Sequence, residues 1–314
     1  MRAGGFVTES TTSLSVADAT ETPLAATALT EGLLAVSAGN PQPTLWLINI
    51  SGRIVREIVL PHPLEASPIA IKAGIVLPLP GRLKIIPQNG GSPPEDYPAP
   101  LEQGKKPKWR HLVPLDDDEF LAVNDSGRLS RIQFRNSDVP HLAEVDSVNL
   151  PHPIDIAPIV ADGRLFVADA AGQLTMSDLS NLEMLSEVKL DAPASNRLWF
   201  VDGSLLVESG RKSLQEFRVE NGQLNPGWTL PLAGNSLAGA PLAIDGRLVV
   251  ALKNGVVLSL NRLDGKVVDE LAINQPLAMG LRKVGNLLVL PTIDGSLHRV
   301  GSALRAKRGR GTEQ

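Results

Sequence analysis

The sequence contains no cysteine, and this absence removes several kinds of chemistry at once. Without cysteine the chain cannot form a disulfide bond, a thiolate metal site or a cysteine nucleophile. Aromatic residues make up only 4% of the chain, so the core must be built mainly from aliphatic side chains. No apolar run approaches the roughly 18 residues that a membrane-spanning helix requires. We therefore expect no transmembrane segment.

Strong net charge is also missing, since the formal charge is -4 over 314 residues. A balance of this kind gives no reason to expect nucleic acid as a partner. We expect residues 1–10 and the basic residues 302–314 to be disordered, and residues 11–301 to form a single domain. The start of the chain lacks an apolar signal region. The chain as it stands is expected in the cytoplasm, or in the periplasm if a leader or N-terminal part precedes it.

Turn-forming residues are abundant, and the sequence repeats itself around them. The chain has 28 Gly and 25 Pro, spread along its length beside 43% hydrophobic residues. The stretch GRLVVALKNG from Gly246, followed by VVLSLNR from Val256, reads as two strands and has seven copies. The matched positions in the second strand lie 38 to 46 residues apart and are Leu45, Leu83, Leu129, Leu174, Leu214, Val257 and Leu297.

A flanking strand on each side of this pair gives four strands per repeat, which is the size of one β-propeller blade. The sequence therefore predicts an all-β propeller of seven four-stranded blades, with eight as a possible count. The last repeat supplies only three strands. Residues 11–18, TTSLSVAD, alternate like a half-buried strand, and we expect them to close the last blade as its outer strand.

The repeat of residues 243–266 resembles that of the quinoprotein-like, PQQ-repeat propellers, which are similar in fold to WD40 and YVTN propellers. The resemblance implies either a quinone dehydrogenase or a non-catalytic scaffold of the bacterial outer-membrane assembly machinery. The enzymes place adjacent cysteines against the quinone, and their repeats tend to carry an outer-strand Trp, which only Trp228 approaches here. The sequence is therefore closer to the scaffold members than to the dehydrogenases.

Two matching histidine segments are candidates for a ligand or metal site. LPHPLEASP begins at Leu60 and LPHPIDIAP at Leu150, and both connect one blade to the next. His62 with Glu65, and His152 with Asp155, would offer imidazole and carboxylate groups near the mouth of a central channel. The alternative is structural, because proline on both sides of each histidine stiffens the turn.

The longest irregular stretch, residues 87–109, is a candidate partner-binding loop. Long loops in compact domains are often functional. This one contains Tyr97, the only tyrosine, beside Lys105, Lys106 and Trp109. A proline-stiffened excursion without function is the alternative.

The favoured function is a non-catalytic binding or scaffold module that engages a protein or peptide partner on one face or along blade edges, with no cofactor. Degenerate repeats, the lack of cysteine and the lack of a catalytic motif favour it. The alternatives are a quinone- or metal-dependent oxidoreductase, which would take pyrroloquinoline quinone or calcium, and a sensor domain of a longer polypeptide.

Overall fold

The computed structural model describes residues 25–28, 34–38, 42–87, 91–101, 104, 106–285 and 287–300. Every regular element in these residues is a β-strand, and none of them forms a helix that could cross a bilayer. The chain divides into two compact units, Met1–Ala157 and Pro158–Gln314. Each sheet is numbered here as a blade in chain order.

The first unit contains three four-stranded antiparallel sheets, each following chain order. Blade 1 consists of β1 (Ala25–Ala28), β2 (Leu34–Ala38), β3 (Thr44–Ile48) and β4 (Ile54–Val59). Blade 2 consists of β5 (Ile69–Ile71), β6 (Gly74–Leu79), β7 (Arg82–Ile86) and β8 (Tyr97–Pro98). Blade 3 consists of β9 (Trp109–Pro114), β10 (Glu119–Asn124), β11 (Arg128–Arg135) and β12 (His141–Asn149).

The second unit contains three more such sheets and, within the described residues, one sheet of three strands. Blade 4 consists of β13 (Ile159–Ala161), β14 (Arg164–Ala168), β15 (Gln173–Asp178) and β16 (Met184–Lys189). Blade 5 consists of β17 (Ala194–Val201), β18 (Ser204–Ser209), β19 (Ser213–Glu220) and β20 (Gln223–Pro231). Blade 6 consists of β21 (Leu242–Ile244), β22 (Arg247–Ala251), β23 (Val256–Asn261) and β24 (Val267–Ala272). Blade 7 consists of β25 (Arg282–Val284), β26 (Leu287–Pro291) and β27 (Leu297–Val300).

These sheets confirm the predicted all-β propeller with seven blades. Blade 7 has three strands within the described residues. The predicted closing strand at residues 11–18 and the predicted disordered ends lie outside those residues, so all three stay predictions.

The faces of neighbouring blades pack against each other. Between blades 5 and 6, Leu206, Leu214 and Trp228 of one sheet meet Leu258 and Leu260 of the other, all buried. The opposite face of blade 6 packs on blade 7, and blades 1, 2 and 3 pack on one another in the same way. Strands buried on both faces lose the alternation of apolar and polar residues, which explains the continuous apolar runs of the repeat.

Each blade has two distinct ends, because its four strands run alternately up and down. The turn between the second and third strands lies at the same end as the connector to the next blade, and this end is called the connector end. The turns between the first two strands and between the last two lie at the opposite end.

The fourth strand of each complete blade other than blade 2 contains a register shift. The shifts fall at the second residue of β4, β16 and β24 and near the middle of β12 and β20, and each inserts one extra residue into the outer strand. Val55, Val145, Leu185 and Val268 are the extra residues in four of them, and all four are exposed. A bulge of this kind interrupts the row of main-chain groups that another strand would need for pairing.

We expect Gly265→Ala to destabilise the protein by at least about 3 kcal/mol. A methyl group at Gly265 would lie 2.5 Å from the indole of Trp228, and the residue has a φ of +66°. The control is Gly246→Ala, where φ is +73° but no atom lies within 4 Å. The control should cost only about 1 kcal/mol, from backbone strain alone. Urea unfolding of both variants measures the difference, and equal losses would contradict close packing of Trp228 on blade 6.

Candidate functional site

The two predicted histidines lie in matching positions in the first unit. His62 and His152 are both exposed, each between two exposed prolines in a connector at the connector end. The described residues contain no group of three His, Asp or Glu side chains placed to hold a metal ion. The two connectors are alike in exposure, but the four predicted residues do not form one cluster.

The carboxyl groups beside these histidines have separate surroundings. Glu65 Oε2 accepts a hydrogen bond of 2.9 Å from the main-chain N–H of Trp109, so it fixes the start of β9. Asp155 is exposed. The main-chain groups of Asp155 and Ile154 lie near the ring of His111, a residue that the sequence analysis did not single out. Burial of this ring lowers the pKa of His111, and the nearby main-chain groups oppose the lowering only in part; its Nε2 is buried without a hydrogen-bond partner among the described residues.

The predicted loop residues are mostly held within the fold. The Tyr97 hydroxyl donates to Glu144 Oε2 at 3.2 Å, and burial followed by the Glu144 charge raises the Tyr97 pKa. Trp109 is buried, and its indole N–H donates to Arg82 O at 3.2 Å. A methyl group at Gly81 would lie 2.6 Å from Lys106 Cδ, so the exposed Lys106 lies across that turn. Lys105 lies outside the described residues.

Blade 5 carries the most elaborate polar arrangement among the described blades, at its connector end. Its first strand, β17, is eight residues long, whereas β13, β21 and β25 each have three. Ala194 pairs with Ser209 and Leu198 with Val207, so residues 195–197 bulge out opposite Glu208. Bulges frequently redirect side chains near functional sites.

Glu208 holds this bulge in place from inside the protein. Its side chain is 0% exposed, and its carboxylate accepts four hydrogen bonds. Oε1 accepts from the hydroxyls of Ser195 at 3.2 Å and Ser236 at 2.7 Å. Oε2 accepts from Asn196 Nδ2 and from the main-chain N–H of Leu237, both at 3.0 Å. The carboxylate thereby ties the bulge to the connector that leads to blade 6.

The same hydrogen-bond network reaches two turns that carry positive charge. Ser195 Oγ accepts from the main-chain N–H of Arg211 at 3.1 Å. The main-chain N–H of Lys253, in the corresponding turn of blade 6, donates to Ser236 O at 2.8 Å. Because Ser195 and Ser236 both donate to Glu208, one buried carboxylate positions the turns of two neighbouring blades.

Four exposed cations surround this network and are called the cationic surface: Arg197, Arg211, Lys212 and Lys253. None of them forms an ion pair with another described residue, whereas six other cations of the described chain do. A nearby acid, Asp191, accepts a hydrogen bond of 2.8 Å from Gln215 Nε2. The connector end of blade 5 therefore presents unpaired positive charge on a fixed backbone.

The sequence analysis missed this surface, although a signal was present. In SLLVESG the acid Glu208 interrupts an apolar strand at a position where blades 3, 4 and 6 have Val123, Ala168 and Ala251. A charged residue in a buried strand is expected only with several hydrogen-bond partners. The sequence does not reveal which residues supply these hydrogen bonds to Glu208.

Comparison with protein families gives a match over residues 139–301 to the family described as outer membrane protein assembly factor BamB. This stretch is more than half of the chain. The chain belongs to this family. The match confirms the predicted PQQ-repeat propeller and its closeness to the scaffold branch. A comparison with curated proteins finds no match.

Solved structures agree on the fold. BamB from Moraxella catarrhalis superposes with a TM-score of 0.64 at 18% identity, covering 87% of this chain and 84% of that one. Sqt1 from Saccharomyces cerevisiae gives 0.66 at 13% identity, covering 89% and 83%. The β-propeller domain of Cps50 (Swd1) from Myceliophteria thermophila gives 0.56 at 13% identity, covering 90% and 100%.

We expect Glu208→Leu to lower the free energy of unfolding by at least about 2 kcal/mol, because Leu237 N would remain buried without an acceptor and Asn196 Nδ2 would keep only Leu237 O. Glu208→Gln is the matched control. Its amide oxygen can accept from those two groups while its NH₂ donates to the two serine hydroxyls, so we expect a smaller loss. Urea unfolding compares the variants. A Gln variant as unstable as the Leu variant would show that the charge, not the hydrogen bonding, stabilises the bulge.

We expect the stability of the protein to decrease below about pH 6.5, in part because of His111. The folded state holds the His111 pKa below its ordinary value, so the unfolded chain binds the proton first as the pH falls. This contribution is complete above pH 6.5 and is lost as the pH drops towards the folded pKa. His111→Gln should reduce the dependence of unfolding free energy on pH between 7.5 and 5.5. The exposed His152→Gln should leave it unchanged, and equal pH profiles for all three proteins would contradict the assignment.

Proposed function

We propose that this protein is a non-catalytic binding module that engages a protein partner at the connector end of blade 5. The observation that carries the proposal is the bulge of residues 195–197, fixed by Glu208 and surrounded by the cationic surface. A backbone held in this way needs little reordering on binding, and preorganisation of this kind favours association.

The family supports a protein as the partner. It is described as an outer membrane protein assembly factor, and we extend the role of such a factor, which works with other proteins, to this chain. The outer strands contain bulges that interrupt their rows of main-chain hydrogen-bonding groups. We therefore favour the end of a blade, rather than its outer edge, as the place where the partner binds.

The carboxylates of Glu208 and Glu65, at the connector ends, already accept hydrogen bonds from groups of the protein itself. This supports a binding role for the surface around them. Both oxygens of Glu208 are occupied by donors, and Glu65 holds the start of β9. Each therefore acts on the protein's own backbone. No specific observation favours the oxidoreductase or the sensor domain.

Photo-cross-linking within the source cells tests this proposal. A benzophenone amino acid replaces Lys212 in one variant and Gln223 in the other, because both are exposed and belong to blade 5 but lie at opposite ends of it. We expect a discrete cross-linked protein from position 212 and none from position 223. The adduct should disappear when Glu208→Leu is added and persist with Glu208→Gln.

Two results would contradict the proposal. One is equal cross-linking from positions 212 and 223, which would indicate non-specific contact. The other is stoichiometric uptake of pyrroloquinoline quinone with calcium by the purified protein, followed by absorbance and elemental analysis, which would support the oxidoreductase.

A further inference from the structure

We propose that the cationic surface recognises carboxylate side chains, so that the partner presents an acidic, extended segment to the connector end of blades 5 and 6. This inference rests on the proposed function and specifies the chemistry of the partner. Three observations support it. The four cations form no ion pair with a described residue, the connectors around them contain little negative charge, and the turns that carry Arg211 and Lys253 are suitably spaced.

The four cations belong to one hydrogen-bonded framework. Arg197 lies in the bulge of β17, and Arg211 and Lys212 lie in the turn between β18 and β19. Lys253 lies in the turn between β22 and β23. Glu208 links these three segments through Ser195 and Ser236. The cations thus occupy fixed backbone positions on two neighbouring blades.

The connectors beside the cationic surface contain little opposing charge, and the next exposed acid, Asp294, lies in a turn of blade 7 and accepts from Gln275. The connectors at residues 232–241 and 273–281 contain no charged residue. Glu208 is fully buried, and its charge is shared among four neutral donors. Asp191 is the one exposed acid in the connector at residues 190–193, and it faces Gln215. A carboxylate from a partner would therefore meet a net positive surface, and arginine binds carboxylates with paired N–H donors.

The geometry favours an extended segment. Packed sheets lie about 10 Å apart, so the turns of blades 5 and 6 are separated by roughly that distance at their connector ends. An extended segment of the polyproline II type rises about 3.1 Å per residue with three residues per turn, so side chains three residues apart lie on the same side, about 9 Å from each other. Two carboxylates spaced in this way would therefore reach Arg211 and Lys253 at the same time.

An acidic protein segment fits this surface better than a nucleic acid does. Four cations are fewer than the roughly six to ten phosphate contacts of a protein whose nucleic-acid affinity falls steeply with salt. The chain as a whole has a net charge of -4. At the opposite end of the second unit, the turns after three first strands each carry an aspartate, Asp162, Asp202 and Asp245. A long polyanion would be repelled there, whereas a short acidic segment would contact the cations alone.

Fluorescence anisotropy with two labelled 12-residue peptides tests the inference. One peptide carries glutamate at every third position, and the other carries glutamine at the same places. We expect the purified full chain to bind the glutamate peptide at least tenfold more tightly than the glutamine peptide. Added salt should weaken the binding, because the groups involved are exposed.

A variant with four changes, R197A, R211N, K212A and K253A, should lose at least tenfold in affinity for the glutamate peptide. Asparagine is used at position 211 because φ there is +55°, a conformation that asparagine tolerates. The matched control removes four exposed cations elsewhere, as R53A, R135A, K266A and R299A. The control has the same change in net charge and should keep its affinity. Equal urea midpoints would show that both variants are folded.

Three results would overturn the inference. They are equal binding of the two peptides, an equal loss of affinity in the control variant, and tighter binding of a 12-nucleotide single-stranded DNA than of the glutamate peptide. If position 212 cross-links a protein in cells while the glutamate peptide fails to bind, the carboxylate chemistry is wrong and the proposed function stands. If position 212 also gives no adduct, both are wrong.

Discussion

The packing of one blade face against the next is the constraint on which the rest of this structure depends. A four-stranded sheet has two apolar faces, and each must be covered by a neighbour. Trp228 shows how close the contact is, because its indole lies against Gly265 and its N–H donates to Arg262 O at 3.1 Å across the interface. The turn of blade 6 is therefore shaped by a side chain of blade 5.

This packing leaves little room for polar groups, which makes the two buried acids of blade 5 informative. Glu216 is met by Ser204 and Arg218, and Arg218 also donates to Leu263 O in blade 6. Glu208 is met by neutral donors alone. Leu206 and Leu214, their cross-strand neighbours, lie in the same apolar cluster. The two carboxylates thus lie at neighbouring levels of the same strand pair, each opposite a leucine and each satisfied by its own set of donors.

Much of the fold could be predicted from the sequence, because the repeat records the packing constraint in every copy. The spacing of Leu174, Leu214 and Val257 gave the blades, and the matched strands were found where the pattern placed them. The site could not be predicted in the same way. Glu208 acquires its role from Ser236 and Leu237, which are 28 and 29 residues away, and no local pattern encodes that contact. Tyr97 shows the reverse case, since it stood out in the sequence but its hydroxyl is bound to Glu144, 47 residues away.

A comparison of equivalent positions explains why blade 5 differs from its neighbours. The position of Glu208 is a small or apolar residue in blades 3, 4 and 6, so no carboxylate stands at that position to hold a bulge in the first strand. In blade 3 the first strand has a smaller shift, which leaves Arg110 as an exposed extra residue, and the carboxylate beside it is Glu65 of the preceding connector, which accepts from Trp109 N. In blade 5 the acid at this position, together with Ser195, Asn196 and Ser236, organises a longer bulge and the adjoining connector. Because the apolar frame is shared by all blades, such a change can specialise one blade while the rest of the propeller keeps its packing.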